Sequence, residues 1–154
     1  MKLILSYCVL IALILLCTNC MDSKKISTNK TGAASQLPLR GTYWKLTELM
    51  GQPIPFSSGN GREAHIKFNA DGKTVGGNGG CNTFSTVYQS IDSTHFTFGP
   101  VMSTKMYCNE AKFENLFFDV LSKTDNFLIH GDTLFLRNAG MDSTAKFIAN
   151  PLKK

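Results

Sequence analysis

Between residues 41 and 149 apolar and polar positions follow one another in short runs that are too brief for helices and bounded by turn residues. Over residues 41–50, Tyr43, Lys45, Thr47 and Leu49 fall on one side and Trp44, Leu46 and Glu48 on the other, a period of two that predicts a strand. Gly51, Pro53 and Pro55 break it, and residues 56–62 read as a Ser/Gly/Asn loop. Ala64, Ile66 and Phe68 alternate with His65, Lys67 and Asn69, and Asp71-Gly72 then turns the chain into a strand over 73–76. Further strands are predicted over 84–88, 95–98, 127–130, 133–137 and 144–148, with Gly131-Asp132 as a tight hairpin and 139–143 as the last turn. One segment departs from this period. Phe113, Leu116, Phe117, Val120 and Leu121 recur at i, i+3, i+4, i+7 and i+8, one apolar face of a helix, with Asn109 as N-cap, Glu110 in the first turn and Lys123 at the end. A lone amphipathic helix must cover apolar surface on the sheet. The predicted class is α+β, mainly β: an antiparallel barrel-like sheet of about seven or eight strands with one packed amphipathic helix.

Outside this region the pattern changes. Lys2 precedes an almost unbroken apolar run over residues 3–16, shorter than the roughly 20 residues of a spanning helix and matched to the apolar core of a secretory signal. It ends in Cys17-Thr18-Asn19-Cys20, which resembles a bacterial lipobox, although Asn19 is bulkier than the usual Gly or Ala and Cys17 stands where Leu is commonest. The expectation is a lipoprotein signal peptide over 1–19 and lipidation at Cys20, with simple secretion and a retained anchor as alternatives. Residues 20–39 are rich in Ser, Lys, Thr and Asn and read as a flexible tether. The folded domain is expected over 40–150, with a basic tail over 151–154. That division removes the apparent basicity. The chain carries a net charge of +5, but between Arg40 and Asn150 seven Lys and three Arg are balanced by six Asp and four Glu. A nucleic-acid partner is therefore not expected.

Cysteine use agrees with export. With Cys8 and Cys17 in the leader and Cys20 lipidated, Cys81 and Cys108 remain, and an even pair in an oxidising compartment reads first as a disulfide. Three other chemistries bear on these residues. The glycine-rich stretch Gly76-Gly77-Asn78-Gly79-Gly80-Cys81-Asn82 reads either as an anion-binding loop or as a tight crossing in the sheet; without the Lys-Ser/Thr ending of a phosphate loop, and with a strand following, the crossing is the expected form. Met102 and Met106, with His65, His95 or His130, are the types that hold Cu(I), but no Cys-x-x-Cys or His-rich tract fixes a geometry, and methionine is more often a packing residue. For catalysis, the three histidines alternate with apolar neighbours and are expected to face solvent, and no paired carboxylates or nucleophile elbow appear. The expectation is no enzyme, no cofactor and no metal.

The ordered set of pieces resembles the META domain, or HslJ-like, family. The likeness rests on Trp44-Lys45-Leu46; Gly80-Cys81-Asn82 with Phe84 and Tyr88; Thr104-Lys105-Met106 with Cys108; Glu114 and Phe117; and the run from Gly131 to Leu136. Thr86 departs from it, standing where the family often has Gly. The resemblance implies a compact barrel-like domain in a small secreted or lipid-anchored envelope protein associated with heat shock and antibiotic tolerance. It implies no catalytic residue: Trp44, Gly80, Asn82, Thr104, Met106, Glu114 and Phe117 are structural, and Cys81 and Cys108 a bridge. The expected function is a non-catalytic envelope lipoprotein, held to a membrane through Cys20, that supports stress tolerance by binding a protein or small ligand. A hydrolase inhibitor presenting residues 56–62 is the alternative, with copper or redox handling through Cys81 and Cys108 behind it.

Overall fold

The computed structural model describes residues 36–54, 62–107, 111–140 and 142–153. The leader, Cys20, most of the tether, Cys108, the N-cap Asn109 and Glu110, and the loop 56–62 except Arg62 lie outside the described residues. Within them the chain runs β1 (Tyr43–Leu49), β2 (Gln52–Pro53), β3 (His65–Phe68), β4 (Thr74–Asn78), β5 (Thr83–Ser90), β6 (Phe96–Phe98), β7 (Met102–Ser103), α1 (Ala111–Ser122), β8 (Asn126–His130), β9 (Thr133–Arg137) and β10 (Ser143–Ala149). Consecutive strands pair antiparallel in the order β6-β5-β4-β3-β1-β10-β9-β8, with β2 added to β1 and β7 to β5. The two ends of this path meet. His95 and Asn126 form an antiparallel bridge, the Phe96 N–H donates to the Asp125 carbonyl at 2.9 Å, and the Phe127 N–H donates to the Thr94 carbonyl at 2.9 Å. The sheet is thus a nearly closed antiparallel barrel with one helix, the expected class. Closure satisfies strand edges that would otherwise invite pairing with other chains.

Inward positions build one core. Trp44, Ile66, Phe68, Val75, Leu134, Leu136 and Phe147 are fully buried, each worth roughly 1.5–3 kcal/mol relative to exposure. Strand β5 joins two aromatic groups: Phe84 meets Phe117 of α1 edge-on at 5.9 Å, and Tyr88 meets Phe68 at 5.2 Å and Phe96 at 5.8 Å. Edge-to-face contacts of this kind add specificity to burial.

Four local expectations change. In β1 the residues buried are Trp44, Leu46 and Leu49, because a register irregularity between Leu46 and Glu48 resets the alternation. Thr47 there donates its hydroxyl to the Lys146 carbonyl at 3.0 Å. In α1 the buried side chains are Glu114, Phe117, Val120 and Leu121, while Leu116 is exposed. The helix is rotated from the purely apolar face because Glu114 has partners inside. The boundary at residue 40 falls too late: Leu37 and Leu39 pack against the core, the Gln36 side-chain amide donates to the Ile129 carbonyl, and the Leu39 carbonyl accepts from the Trp44 indole N–H at 3.0 Å. Residues 36–39 therefore belong to the folded body. Finally, the break after Leu49 is itself a hairpin, since Met50 and Gly51 both have positive φ (49° and 76°) and return the chain to pair as β2.

The β3–β4 pairing depends on a missing side chain. A Cβ on Gly77 would lie 2.1 Å from the His65 carbonyl oxygen, backbone against backbone, whereas one on Gly76 would meet nothing nearer than 3.7 Å. We expect Gly77→Ala to destabilise the domain by about 3 kcal/mol or more and Gly76→Ala by less than about 1 kcal/mol. Urea denaturation of both variants checks this, and equal midpoints would contradict it.

Candidate functional site

The glycine-rich turn between β4 and β5 begins with Asn78, whose side-chain oxygen accepts the Gly80 N–H at 2.8 Å, and closes with the Gly79 N–H on the Asn82 carbonyl at 2.8 Å. Helix α1 lies so close that a Cβ on Gly79 would fall 2.6 Å from Glu114 Oε1. Asn82 completes the contact in both directions. Its backbone N–H donates to Glu114 Oε1 and its Nδ2 to Glu114 Oε2, each at 2.6 Å. Its Oδ1 accepts the Thr104 hydroxyl and the Met106 N–H, each at 2.8 Å. Asn82 and Glu114 are 5% and 6% exposed, so these bonds act where water competes little. The turn thus receives the carboxylate of helix α1, and in place of the expected crossing it joins two adjacent antiparallel strands.

This knot gathers Gly80, Asn82, Thr104, Met106 and Glu114, with Phe117 packed behind. Cys81 is 2% exposed and has its Sγ 3.9 Å from the Met106 carbonyl oxygen. Trp44 stands apart, inside the barrel. Thr86, the departure from the family pattern, is buried and donates to the Gly99 carbonyl at 2.9 Å. Beside the knot, Met102, Met106 and Tyr107 are exposed, Tyr107 by 92%.

A second cluster, unseen in the sequence, lies on the outer wall. Glu63 receives Lys45 at 2.6 Å, Lys153 at 3.0 Å and the Tyr43 hydroxyl at 3.0 Å. Burial alone would raise its carboxyl, but these donors outweigh it and hold it down at about 2. The Tyr43 phenol is raised, first by burial and then by Glu63. His65, expected to face solvent, is instead half-buried. It stacks on Tyr43 with centroids 4.4 Å apart, bonds the Glu63 carbonyl through Nδ1 at 2.9 Å, and is driven toward its neutral form chiefly by burial. Tyr43, Glu63, His65 and Lys153 border an open cleft of about 440 Å³. The cross-strand pairing of Lys45 with His65 was the available signal, but it requires knowing that β1 and β3 are neighbours.

The META domain profile matches residues 37–150. The chain belongs to the META domain family. Among solved structures, the NMR structure of a protein from Burkholderia xenovorans is 18% identical, with a TM-score of 0.58 over 73% of this chain and 84% of that one. A second NMR structure, also 18% identical with a TM-score of 0.58, covers 75% of this chain and 95% of its own. At this identity both speak to the fold. None of the curated proteins compared matches the chain.

In this META domain the three histidines have separate surroundings. His65 faces Tyr43, His95 pairs with Asp92 at 2.9 Å, and His130 is exposed at the end of β8. Among the described residues no group of three or more His, Cys, Asp or Glu is disposed to hold a metal.

The knot makes a sharp prediction. Glu114→Ala leaves the Asn82 N–H and Nδ2 without acceptors in a buried place and is expected to cost about 2–4 kcal/mol. Glu114→Gln should be nearly as damaging, because one amide face would oppose Asn82 Nδ2, donor to donor, while the Asn82 oxygen is already engaged. Thermal unfolding monitored by near-UV circular dichroism measures both; a Gln variant as stable as the wild type would contradict this account.

Proposed function

We propose that this META domain is a non-catalytic binding module, lipid-anchored at Cys20 in the cell envelope, that supports stress or antibiotic tolerance by holding another envelope protein. The observation that carries the reading is the use made of the motif residues. Both Glu114 oxygens and every polar atom of the Asn82 side chain are engaged within the fold, which leaves them a positioning task and no free general base. What they position is the segment from Met102 to Tyr107, where Met102, Met106 and Tyr107 project outward from a backbone tied to Asn82. Exposed methionine and tyrosine on a pre-ordered backbone suit protein recognition, since little entropy is lost on binding. We take Cys81 and Cys108 to form a disulfide, which would clamp the far end of the same segment; Met106, two residues before Cys108, lies against the Cys81 sulfur.

Cross-linking in the native envelope followed by affinity capture tests the reading. A partner should be recovered with the wild-type chain and lost with Met102→Ser/Tyr107→Ser, at unchanged melting temperature. Identical recovery from both, or background proteins only, would overturn it.

A further inference from the structure

The outer strands of a sheet present unpaired backbone groups on which another strand can build. In this barrel such edges lie beside β2, β8 and β7, and the first two are closed off. At β2 the Ile54 N–H turns inward to the Thr47 carbonyl at 2.9 Å, so Pro53 takes the outward position and has no N–H to offer. Along β8 the backbone groups of Phe127 and Ile129 face the seam, where the Phe127 N–H meets the Thr94 carbonyl and the Ile129 carbonyl takes the Gln36 side-chain amide. The edge that runs from β7 to Met106 is open. Met102 pairs with Ser85 of β5, the Thr104 N–H donates to the Thr83 carbonyl at 3.1 Å, and the Met106 N–H donates to Asn82 Oδ1 at 2.8 Å. Every second residue thus bonds inward. The intervening N–H and C=O groups of Ser103 and Lys105 point away from the barrel, without partners among the described residues. The whole stretch from Met102 to Tyr107 is exposed, so these groups are hydrated and carry no strain. What they offer is a pre-ordered ladder of two donors and two acceptors, repeating every 7 Å or about that along the chain. Beside it an open hollow of about 350 Å³, lined by Thr83, Phe84, Ser85, Met102, Ser103 and Thr104, has room for a side chain. Lys105 is exposed and has no ion pair among the described residues. A lysine on an edge opposes pairing with a second copy, which would bring another Lys105 into the same ribbon, and favours a strand that carries a carboxylate.

We propose that the partner of the Met102–Tyr107 face is a protein that adds an extended strand to this edge. The backbone of that strand pairs with Ser103 and Lys105, an apolar side chain enters the hollow beside Met102, and an Asp or Glu meets Lys105. Main-chain pairing supplies the affinity and the two side chains the selectivity. The inference rests on the binding role proposed above and adds to it the way the partner is held.

Amide hydrogen exchange of the full-length protein in detergent tests the proposal. In the protein alone, the Thr104 and Met106 amides should exchange at least about tenfold more slowly than those of Ser103 and Lys105; equal rates at all four would overturn it. The protein captured by cross-linking in the native envelope is then purified and added as the probe. The Ser103 and Lys105 amides should slow by at least about tenfold in the complex. Ser103→Pro removes an outward N–H and leaves the inward bonds in place, and Met102, already in a strand, accepts a following proline. It should weaken binding at least about tenfold, whereas Ser103→Ala, which keeps the N–H, should bind at least about tenfold tighter than Ser103→Pro. Lys105→Glu should also weaken binding. The amide readout is made on the wild-type chain and stands whether or not the proline variant folds. A partner that depends on Met102 and Tyr107 but leaves both amides fast overturns the strand pairing and spares the binding role. Recovery of background proteins only overturns both, and recovery of a second copy of this chain overturns the choice of occupant.

Discussion

The contact between the Glu114 carboxylate and Asn82 is the constraint on which the other parts converge. A carboxylate carried into a protein interior is costly unless strong donors meet it. Here one residue supplies two, from its backbone and from its side chain, and turns its remaining oxygen toward Thr104 and Met106. Three segments distant in the chain are thereby registered against one another: the β4–β5 turn, the stretch after β7, and the first turns of α1. The approach needed is close enough that Gly79 admits no side chain. Once α1 is held there, Phe117 is aimed at Phe84 and Phe147, and the helix contributes to the barrel core.

Closure on the other side has a different origin. The β6 and β8 ends of the sheet meet through backbone bonds around His95 and Asn126, and the approach to that seam is shaped by Asp92. Its carboxylate takes the N–H groups of Thr94 and His95 and the His95 ring, which holds it well below the usual carboxylate range. The barrel is therefore joined by main-chain pairing at one place and by side-chain chemistry at another. A burial count would recognise only the aromatic packing between them.

How much of this was legible follows from how far each interaction reaches. The period of two over Ala64, Ile66 and Phe68 and the hairpin at Gly131-Asp132 are local, and both appear as expected. The phase change at Thr47 is not, since a bulge leaves no mark in a list of residue types until the partner strand is known. The helix was visible from its apolar spacing, but its true inner face includes Glu114, which any hydropathy pattern assigns to solvent. Asn82, Thr104, Met106 and Glu114 stand together only in the family resemblance, because residues so far apart share no periodicity. The Glu63 cluster escaped the sequence reading, as its five members come from β1, β3 and its approach, and the C-terminal end of the described chain.

Under the proposed function this arrangement has a clear use: the most reactive-looking residues fix geometry, and ordinary surface side chains, held still, are left to meet the proposed partner. That central claim is most directly tested by native-state hydrogen exchange at the Asn82 and Met106 amides. If the knot is as firm as its geometry implies, both amides, though in non-regular segments, exchange only through global unfolding, with the same free energy as core amides of β1 and β10. Exchange at the rate of an ordinary exposed loop, with the β1 and β10 amides still protected, would contradict the account.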